Sequence, residues 1–146
     1  MSENDFSIKG RILALDLGEK RIGVAVSDAT RTIAQPLTVI KRTSRKADFE
    51  SIGRFVQEQQ ANMLLVGLPL MLDGRVGDKA AWVQDYAAEL QRTLDLPLEL
   101  WDEAFTTVQA EASLKARGKK WRQSRDQVDA VAASFILQSY LDSLVW

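Results

Sequence analysis

The sequence predicts an α/β fold, a five-stranded mixed sheet flanked by helices, built from a single domain of 146 residues. Three short apolar runs follow one another near the N-terminus, which is typical of an antiparallel meander. Helical and strand-like segments then alternate, which is typical of parallel β–α units. The chain length suits one domain, expected over residues 10–146, and the polar residues 1–9 are predicted to form a flexible lead-in.

The meander is predicted from the spacing of apolar and turn residues. Arg11–Leu17 and Arg21–Ser27 are apolar, β-branched runs separated by Gly18-Glu19-Lys20, which predicts a β-hairpin. Thr32–Ile40 is predicted to be the third strand. Because Pro36 has no N–H to donate to a neighbour, it indicates an edge strand or a bulge.

The rest of the chain is assigned from the period of its apolar residues. Apolar residues at helical spacing indicate helices, and short apolar runs bounded by Gly, Pro or charge indicate strands. Trp82 and Tyr86 lie on the inner stripe of one helix and are predicted to be core residues. The predicted elements are a helix over Lys46–Gln60, a strand over Asn62–Val66, a helix over Asp78–Leu94, a strand over Pro97–Trp101, a helix over Thr107–Ala116, a basic loop over 117–123, and a helix capped by Ser124 that ends near Leu144.

The composition excludes several kinds of chemistry. The chain has no Cys and no His, which excludes thiol nucleophiles, zinc fingers and Ser-His-Asp triads. Carboxylates, hydroxyls, Lys, Arg or a metal ion with oxygen ligands remain. The formal charge of −1 points to no partner. The N-terminus does not look like a signal peptide, and no apolar run approaches the ~18 residues of a membrane span, so we expect a cytoplasmic protein without a membrane partner.

Acidic side chains lie where apolar elements end or pack. Asp16 lies near the end of the first strand, Asp102 and Glu103 follow the fifth, and Asp129 lies in an apolar stretch of the last helix. Glu103 is the preferred ligand of the adjacent pair, although periodicity does not decide between the two. A carboxylate in such a place is costly to bury unless it is paired or binds a metal. If the first and fifth strands are neighbours, Asp16 and Glu103 emerge together and Asp129 can approach them. Such a set favours Mg²⁺ or Mn²⁺.

Each acid also has a structural alternative. Asp16 could be a turn residue before Leu17-Gly18. Asp102 or Glu103 could cap the helix that follows. Asp129 could pair with Arg125, one helical turn earlier.

Cations cluster close to these acids and again near the C-terminus. Six Lys and Arg residues fall within Lys115–Arg125 without a single acid. This loop could bind a nucleic-acid backbone and stack a base on its tryptophan, although a solvated charged loop is the alternative. Gly18 and Gly23 near Asp16 are explained either by hairpin geometry or by close approach of a phosphate. The residues predicted to contact nucleic acid are Lys20, Arg21, Arg75, Lys119, Lys120, Trp121 and Arg122.

Four ordered motifs resemble those of the YqgF/RuvX proteins, over nearly the whole chain from residue 11. They are Ile12–Asp28; Val66–Leu70 with Asp73-Gly74; Trp101–Glu103 with Thr106-Thr107; and Val128-Asp129 with Ala130, Ala133, Ile136, Leu137 and Tyr140. That bacterial family is RNase H-like, and is described as Holliday-junction resolvase-like and as nucleases that mature the 5′ end of 16S rRNA. The resemblance implies an RNase H-like fold and a metal-dependent phosphodiesterase of ribosome biogenesis. It also implies that Asp16, Glu103 and Asp129 are the catalytic metal ligands.

The resemblance extends to a further motif and has two departures. Asp126 and Asp129 resemble the Asp-x-x-Asp-Ala-x-Ala signature of RuvC-type resolvases, so Asp126 is either a further ligand or a surface charge. The family commonly has Arg-Leu after the Asp-Glu pair, whereas this chain has Ala104-Phe105. Met71 stands where the family commonly has Asn. The first departure removes a cation beside the predicted site.

These patterns together predict a nuclease that acts on structured RNA, above all the 16S rRNA precursor, with Mg²⁺ or Mn²⁺. Asp16 would bridge two ions, and Glu103 and Asp129 would each hold one side. Branched DNA is the alternative substrate, because a Holliday-junction resolvase would use the same chemistry as a dimer. Both a monomer and a homodimer stay open.

Two further interpretations belong to other classes of protein. One is a non-catalytic nucleic-acid-binding module of the same fold, which the Ala104-Phe105 replacement alone supports. The other is an actin-like ATPase, suggested by the Asp-x-Gly turn at Asp16. That class needs two lobes around its nucleotide, and a chain of this length has room for one.

Overall fold

The structure is a computed structural model that describes residues 9–105 and 125–145, with the backbone alone for residues 105 and 125–127. The predicted helix over Thr107–Ala116, the basic loop and most of the predicted lead-in lie outside this range. The elements are β1 (Arg11–Leu17), β2 (Arg21–Ser27), β3 (Ala34–Lys41), α1 (Arg45–Gln59), β4 (Ala61–Leu68), α2 (Asp78–Leu94), β5 (Leu98–Asp102), a 3₁₀ turn (Glu103–Phe105) and α3 (Arg125–Ser143).

The five strands form one mixed sheet in the order β3-β2-β1-β4-β5. The β1–β2 and β2–β3 pairs are antiparallel, and the β1–β4 and β4–β5 pairs are parallel, which confirms the predicted architecture. The condition that the first and fifth strands be neighbours is wrong, since β4 lies between them. The helix after β3 returns the chain beside β1, and the next helix returns it one strand further out. Any meeting of Asp16 and Glu103 therefore has to occur across β4.

The edge position predicted from Pro36 is confirmed. Among the described strands, β3 pairs only with β2 and therefore lies at an edge of the sheet. The β2–β3 register shifts between Val24 and Ala25, where Pro36 pairs with Ala25. Because proline cannot donate a ladder hydrogen bond, this irregular edge is where a sheet tolerates it.

The two faces of the sheet pack against different helices. Leu13, Leu15 and Leu17 of β1 face the core formed with α1 and α2. The alternate residues Ile12 and Ala14 face the core formed with α3. Side chains on a strand alternate between faces, so Asp16 lies on the α3 face of the sheet.

The α1–α2 face contains a buried polar group with several partners. Asp48 of α1 is 1% exposed and accepts hydrogen bonds from the Tyr86 hydroxyl (3.1 Å) and the Thr43 amide (3.1 Å). The Arg42 guanidinium lies 3.4 Å from the same carboxylate. Burial and then the Asp48 charge raise the pKa of Tyr86 well above its usual range. Tyr86 is fully buried, as predicted, and its network joins α1 to α2.

The described helices were also compared with the dimensions of a lipid bilayer. None of the helices within residues 9–105 and 125–145 has the length and apolar character that crossing a membrane requires.

Candidate active site

Asp16 lies between two glycines in the sheet. On one side it pairs directly with Gly23 of β2. On the other side Leu15 pairs with Val66 of β4, so Gly67 follows at the level of Asp16. Neither neighbour has a side chain, which leaves space around the Asp16 carboxylate on the α3 face.

Because residues 23 and 67 are glycines, the other two predicted ligands, Asp129 and Glu103, can lie close to the sheet. A Cβ atom at Gly23 would lie 2.0 Å from the backbone oxygen of Asp129, so α3 can rest on β2 only because residue 23 is glycine. A Cβ atom at Gly67 would lie 2.9 Å from Oε2 of Glu103. Sequence reasoning attributed Gly23 to hairpin geometry or to a phosphate. Its closest neighbour is instead the backbone of Asp129, and only the strand register reveals this.

The electrostatics connect all three carboxylates. Burial, followed by the charge of Asp129, raises the pKa of Asp16, whereas Lys79 opposes this rise. Burial, and then the charge of Asp16, raises the pKa of Glu103, which Lys79 again opposes. Asp16 is therefore the central member, with Glu103 reached across β4 and Asp129 reached from α3.

In the described part of the chain, Arg21 and Lys79 interact with these acids. The Nε atom of Arg21 donates to Oδ2 of Asp129 at 2.6 Å, and the two side chains are 38% and 31% exposed. Lys79, an exposed residue in the first turn of α2, acts electrostatically on both Asp16 and Glu103. Sequence reasoning expected Arg21 to contact nucleic acid and did not name Lys79. A lone lysine on a polar helix gives no signal until the fold places it beside two acids.

The three carboxylates do not form a ready-made metal site in the described part of the chain. Within the described part of the chain, no three acidic side chains already form a group that could hold an ion. The donor chemistry nevertheless fits a hard divalent cation, because Asp16, Glu103 and Asp129 offer only carboxylate oxygens. Burial and, after it, repulsion from neighbouring acids raise the pKa values of Asp16 and Glu103, and a positive ion would oppose both effects. Arg21 would have to release Asp129.

Asp102 has a structural role in the described residues. Its Oδ1 accepts a hydrogen bond from the Ala104 amide at 2.9 Å, which caps the 3₁₀ turn at the end of β5. Asp102 thus caps this 3₁₀ turn, whereas the helix that it was predicted to cap lies outside the described residues; Glu103 faces the glycine at position 67. The side chains of Arg125 and Asp126 lie outside the described part. The pairing of Asp129 with Arg125 and the role of Asp126 therefore stay predictions.

The predicted nucleic-acid contacts fall in three places. Lys20 and Arg21 line a cavity of about 390 Å³, together with Gly18, Glu19, Lys79 and Asp129. Arg75 lies in the loop before α2, 73% exposed, and pairs with Asp73 at 2.5 Å. Lys119, Lys120, Trp121 and Arg122 lie outside the described residues. The cavity puts cations directly beside a predicted metal ligand.

Sequence comparison finds close relatives over most of the chain. A family model described as "RuvX: Holliday junction resolvase" matches residues 10–143. A Roseiflexus protein (strain RS-1) is 45% identical over 134 residues, which covers 92% of this chain and 95% of that protein. A Chloroflexus aurantiacus protein (strain J-10-fl) is 47% identical over 132 residues, covering 90% and 86%. Both carry the name "Putative pre-16S rRNA nuclease".

Structure comparison finds the same fold at low sequence identity. Thermus thermophilus RuvC, solved in complex with a Holliday junction substrate, aligns with a TM-score of 0.62 and 14% identity, covering 92% of this chain and 96% of that chain. The fowlpox virus resolvase, solved with Holliday junction DNA, aligns with a TM-score of 0.57 and 15% identity, covering 93% and 99%. These likenesses confirm the predicted RNase H-like fold.

Proposed function

Because this chain belongs to the RuvX family, we propose that it is a nuclease that hydrolyses phosphodiester bonds in the 16S rRNA precursor, with Mg²⁺ or Mn²⁺ held by Asp16, Glu103 and Asp129. The observation that carries the proposal is the placement of Asp16 between two glycines, within electrostatic reach of both other acids. The relatives' names support an RNA substrate, and the proposal includes a cytoplasmic location, where such a precursor would be found.

The residues at this site would have two roles, metal binding and phosphate binding. When bound, divalent ions supply Lewis acidity and a hydroxide nucleophile at neutral pH. Asp16, central among the acids, and Glu103 would hold such ions from the sheet, and Asp129 would hold them from α3. Lys20 and Arg21 line the adjoining cavity, where they can neutralise the charge of the substrate phosphates. The Arg21 side chain would exchange Asp129 for phosphate as the ion binds.

Replacement of Asp16 tests the proposal directly. We expect wild-type protein with Mn²⁺ to cleave a 16S precursor transcript, and Asp16→Asn to lose at least about 100-fold in rate, because a central ligand is gone. Asp95→Asn is the matched control, since Asp95 is exposed at the C-cap of α2 in a left-handed conformation that asparagine tolerates. Equal cleavage by the wild type and Asp16→Asn would refute the proposed site.

The description of the family model favours a second candidate, a Holliday-junction resolvase. Cleavage of both strands of a junction needs two active sites and therefore a dimer. The same assay with a four-way DNA junction at equal salt decides between the two substrates, since salt governs both affinities. Nicking confined to the junction would select the resolvase. A wild type that binds either nucleic acid but no Mn²⁺, measured calorimetrically, would indicate a non-catalytic module.

A further inference from the structure

A second cavity adjoins the candidate active site. It has a volume of about 480 Å³ and shares Gly18, Glu19 and Lys79 with the smaller cavity beside Asp129. The two cavities therefore adjoin at Gly18, Glu19 and Lys79, and together they form a groove that runs from Asp129, past Lys79, to the second cavity. Its other lining residues are Leu17, Arg42, Asp78 and Trp82.

The far end of this groove is a fixed aromatic and cationic platform. The Arg42 guanidinium lies 4.7 Å from the centre of the Trp82 ring, a cation–π distance. The Nη1 atom of Arg42 donates to the backbone oxygens of Gly18 (3.0 Å) and Glu19 (3.1 Å), and the buried Asp48 carboxylate faces Nε at 3.4 Å. Arg42 is only 19% exposed. Because these contacts already order Arg42, a ligand that packs on the platform pays little additional entropy.

Trp82 packs against the core, as its sequence pattern predicts, but it is not fully buried. The stripe on α2 predicts a core residue, and the ring does pack against the core, with Tyr86 at a centroid distance of 5.3 Å. Trp82 is only partly buried, however, and it lines the cavity. Because the Arg42 guanidinium lies over the Trp82 ring, a base in this cavity would pack on the guanidinium plane and the exposed part of the indole together.

The charges of the cavity favour a base over a phosphate. Its lining holds two cations, Arg42 and Lys79, and two acids, Glu19 and Asp78. A site for a phosphate alone would carry an excess of positive charge. Carboxylates instead accept hydrogen bonds from the amino groups of bases, as they do in direct readout of cytosine. Lys79, between the two cavities, is placed to contact the phosphate that joins them.

From this geometry we infer that the second cavity is a subsite for one unpaired nucleotide next to the scissile phosphate, with its base on the Trp82–Arg42 platform. The inference rests on the proposed function, since the groove leads to the predicted catalytic acids. It adds a substrate requirement: the strand must be single-stranded beside the cut, because a paired base cannot leave its stack to enter the cavity without an energetic cost.

Binding measured without cleavage tests the subsite. An eight-nucleotide single-stranded RNA and the same sequence in a duplex are titrated in EDTA against the wild type and Trp82→Leu, which keeps an apolar side chain but removes the ring. We expect Trp82→Leu to bind the single strand about five- to tenfold more weakly and the duplex within twofold of the wild type. Equal losses on both RNAs, or no loss on either, would overturn the inference.

Tryptophan fluorescence provides an independent readout that keeps the packing of α2. Because Trp121 of the basic loop is also predicted to stack on a base, Trp121→Phe serves as the background for this measurement. The single strand should quench emission in that background, and most of the quenching should vanish when Trp82→Phe is added. Trp101→Phe is the matched control, because the Trp101 indole donates to Ser139 on the other face of the sheet and should leave the quenching in place. Quenching that survives in Trp82→Phe would exclude this ring as the platform.

The two proposals fail in different ways. Wild-type cleavage of the precursor with single-strand binding indifferent to Trp82 would remove the subsite and leave the nuclease intact. Selective single-strand binding through Trp82, in a protein that cleaves no RNA or DNA with Mn²⁺, would retain the subsite and refute the proposed function.

Discussion

The buried Asp16 carboxylate lowers the stability of the folded protein when it is ionised. Burial and the Asp129 charge raise its pKa, so the folded state binds the proton of Asp16 more tightly than the unfolded chain does. Stability is therefore lost as the pH rises from the ordinary value of 3.8 through the raised pKa of the folded state. Glu103 shifts in the same direction. Such a cost is typical of groups kept for chemistry rather than for stability.

Because the buried charge lowers stability, we predict that Asp16→Asn, the variant expected to be inactive, is more stable than the wild type. In EDTA at pH 7, Asp16→Asn should melt a few degrees above the wild type, because the buried negative charge is gone. The difference should shrink towards pH 4, where Asp16 is partly protonated in the wild type as well. Thermal unfolding followed by circular dichroism at both pH values checks this. A variant that melts lower than the wild type at pH 7 would contradict it.

The ion pair between Arg21 and Asp129 leads to a second prediction at this scale. Arg21 occupies Asp129 at 2.6 Å, so it competes with a metal ion for that carboxylate. Because both side chains are about one-third exposed, the competition is modest. Arg21→Met should tighten Mn²⁺ binding about two- to fivefold and weaken RNA binding. Calorimetric titration of Mn²⁺ measures the first effect, and Lys41→Met, on the edge strand, is the control. Weaker Mn²⁺ binding in Arg21→Met would show that the ion pair supports the site.

The position of α3 depends on the absence of one side chain. The contact between Gly23 of β2 and the backbone of Asp129 leaves no space for a methyl group. The helix is otherwise held by apolar residues such as Ala133, Ile136 and Leu137 against the sheet. Element packing and site geometry therefore depend on the same contact.

An added methyl group at Gly23 should disturb both the packing of α3 and the geometry of the candidate site. Gly23→Ala should lower the free energy of unfolding by about 1–3 kcal/mol, since a backbone contact cannot be relieved by rotating a side chain. It should also slow cleavage by displacing Asp129. Gly53→Ala is the control: its new Cβ would lie 3.2 Å from a Leu94 methyl, which can move, so the change should stay below about 1 kcal/mol. Urea unfolding measures both, and equal stability of the two variants would refute the argument.

On the scale of the whole molecule, binding to nucleic acid has to come from where the charges lie. The formal charge is −1, so no general attraction draws a polyanion to the protein. Lys20, Arg21 and Lys79 line the cavity beside Asp129, and Arg42 lies further along the groove. Among the cations in the described part of the chain, those that line this groove should therefore affect the affinity for RNA more than those that lie far from it.

The salt dependence of RNA binding measures how much each cation contributes to the affinity. Lys20→Met should weaken RNA binding and make the slope of log affinity against log salt shallower by about one unit, as expected when one phosphate contact is lost. Lys46→Met should leave the slope unchanged, because Lys46 lines a different cavity between α1 and α2. Fluorescence anisotropy of a labelled RNA over a range of salt concentrations gives both slopes. Equal changes in the two variants would mean that binding is not localised to the groove.

The fold could be predicted almost entirely from local patterns. The alternation of apolar and polar residues, helical spacing and turn residues predict the strands and helices of the described part of the chain. Pro36 predicts the edge of the sheet. These features depend on neighbours in sequence, and the physics that decides them acts over a few residues. Asp16, Glu103 and Asp129 are predicted to be the ligands from the sequence as well, because charged residues in apolar surroundings need an explanation.

What surrounds those acids was decided by the tertiary structure alone. The order of the strands separates β1 from β5, and the register places Gly23 and Gly67 on either side of Asp16. Lys79 and the Trp82–Arg42 platform join the site from elements that are distant in sequence. Contacts of this kind arise from pairing across the sheet and packing onto it. Spacing along the chain does not encode them, because strand order and register are set by the global burial of apolar surface.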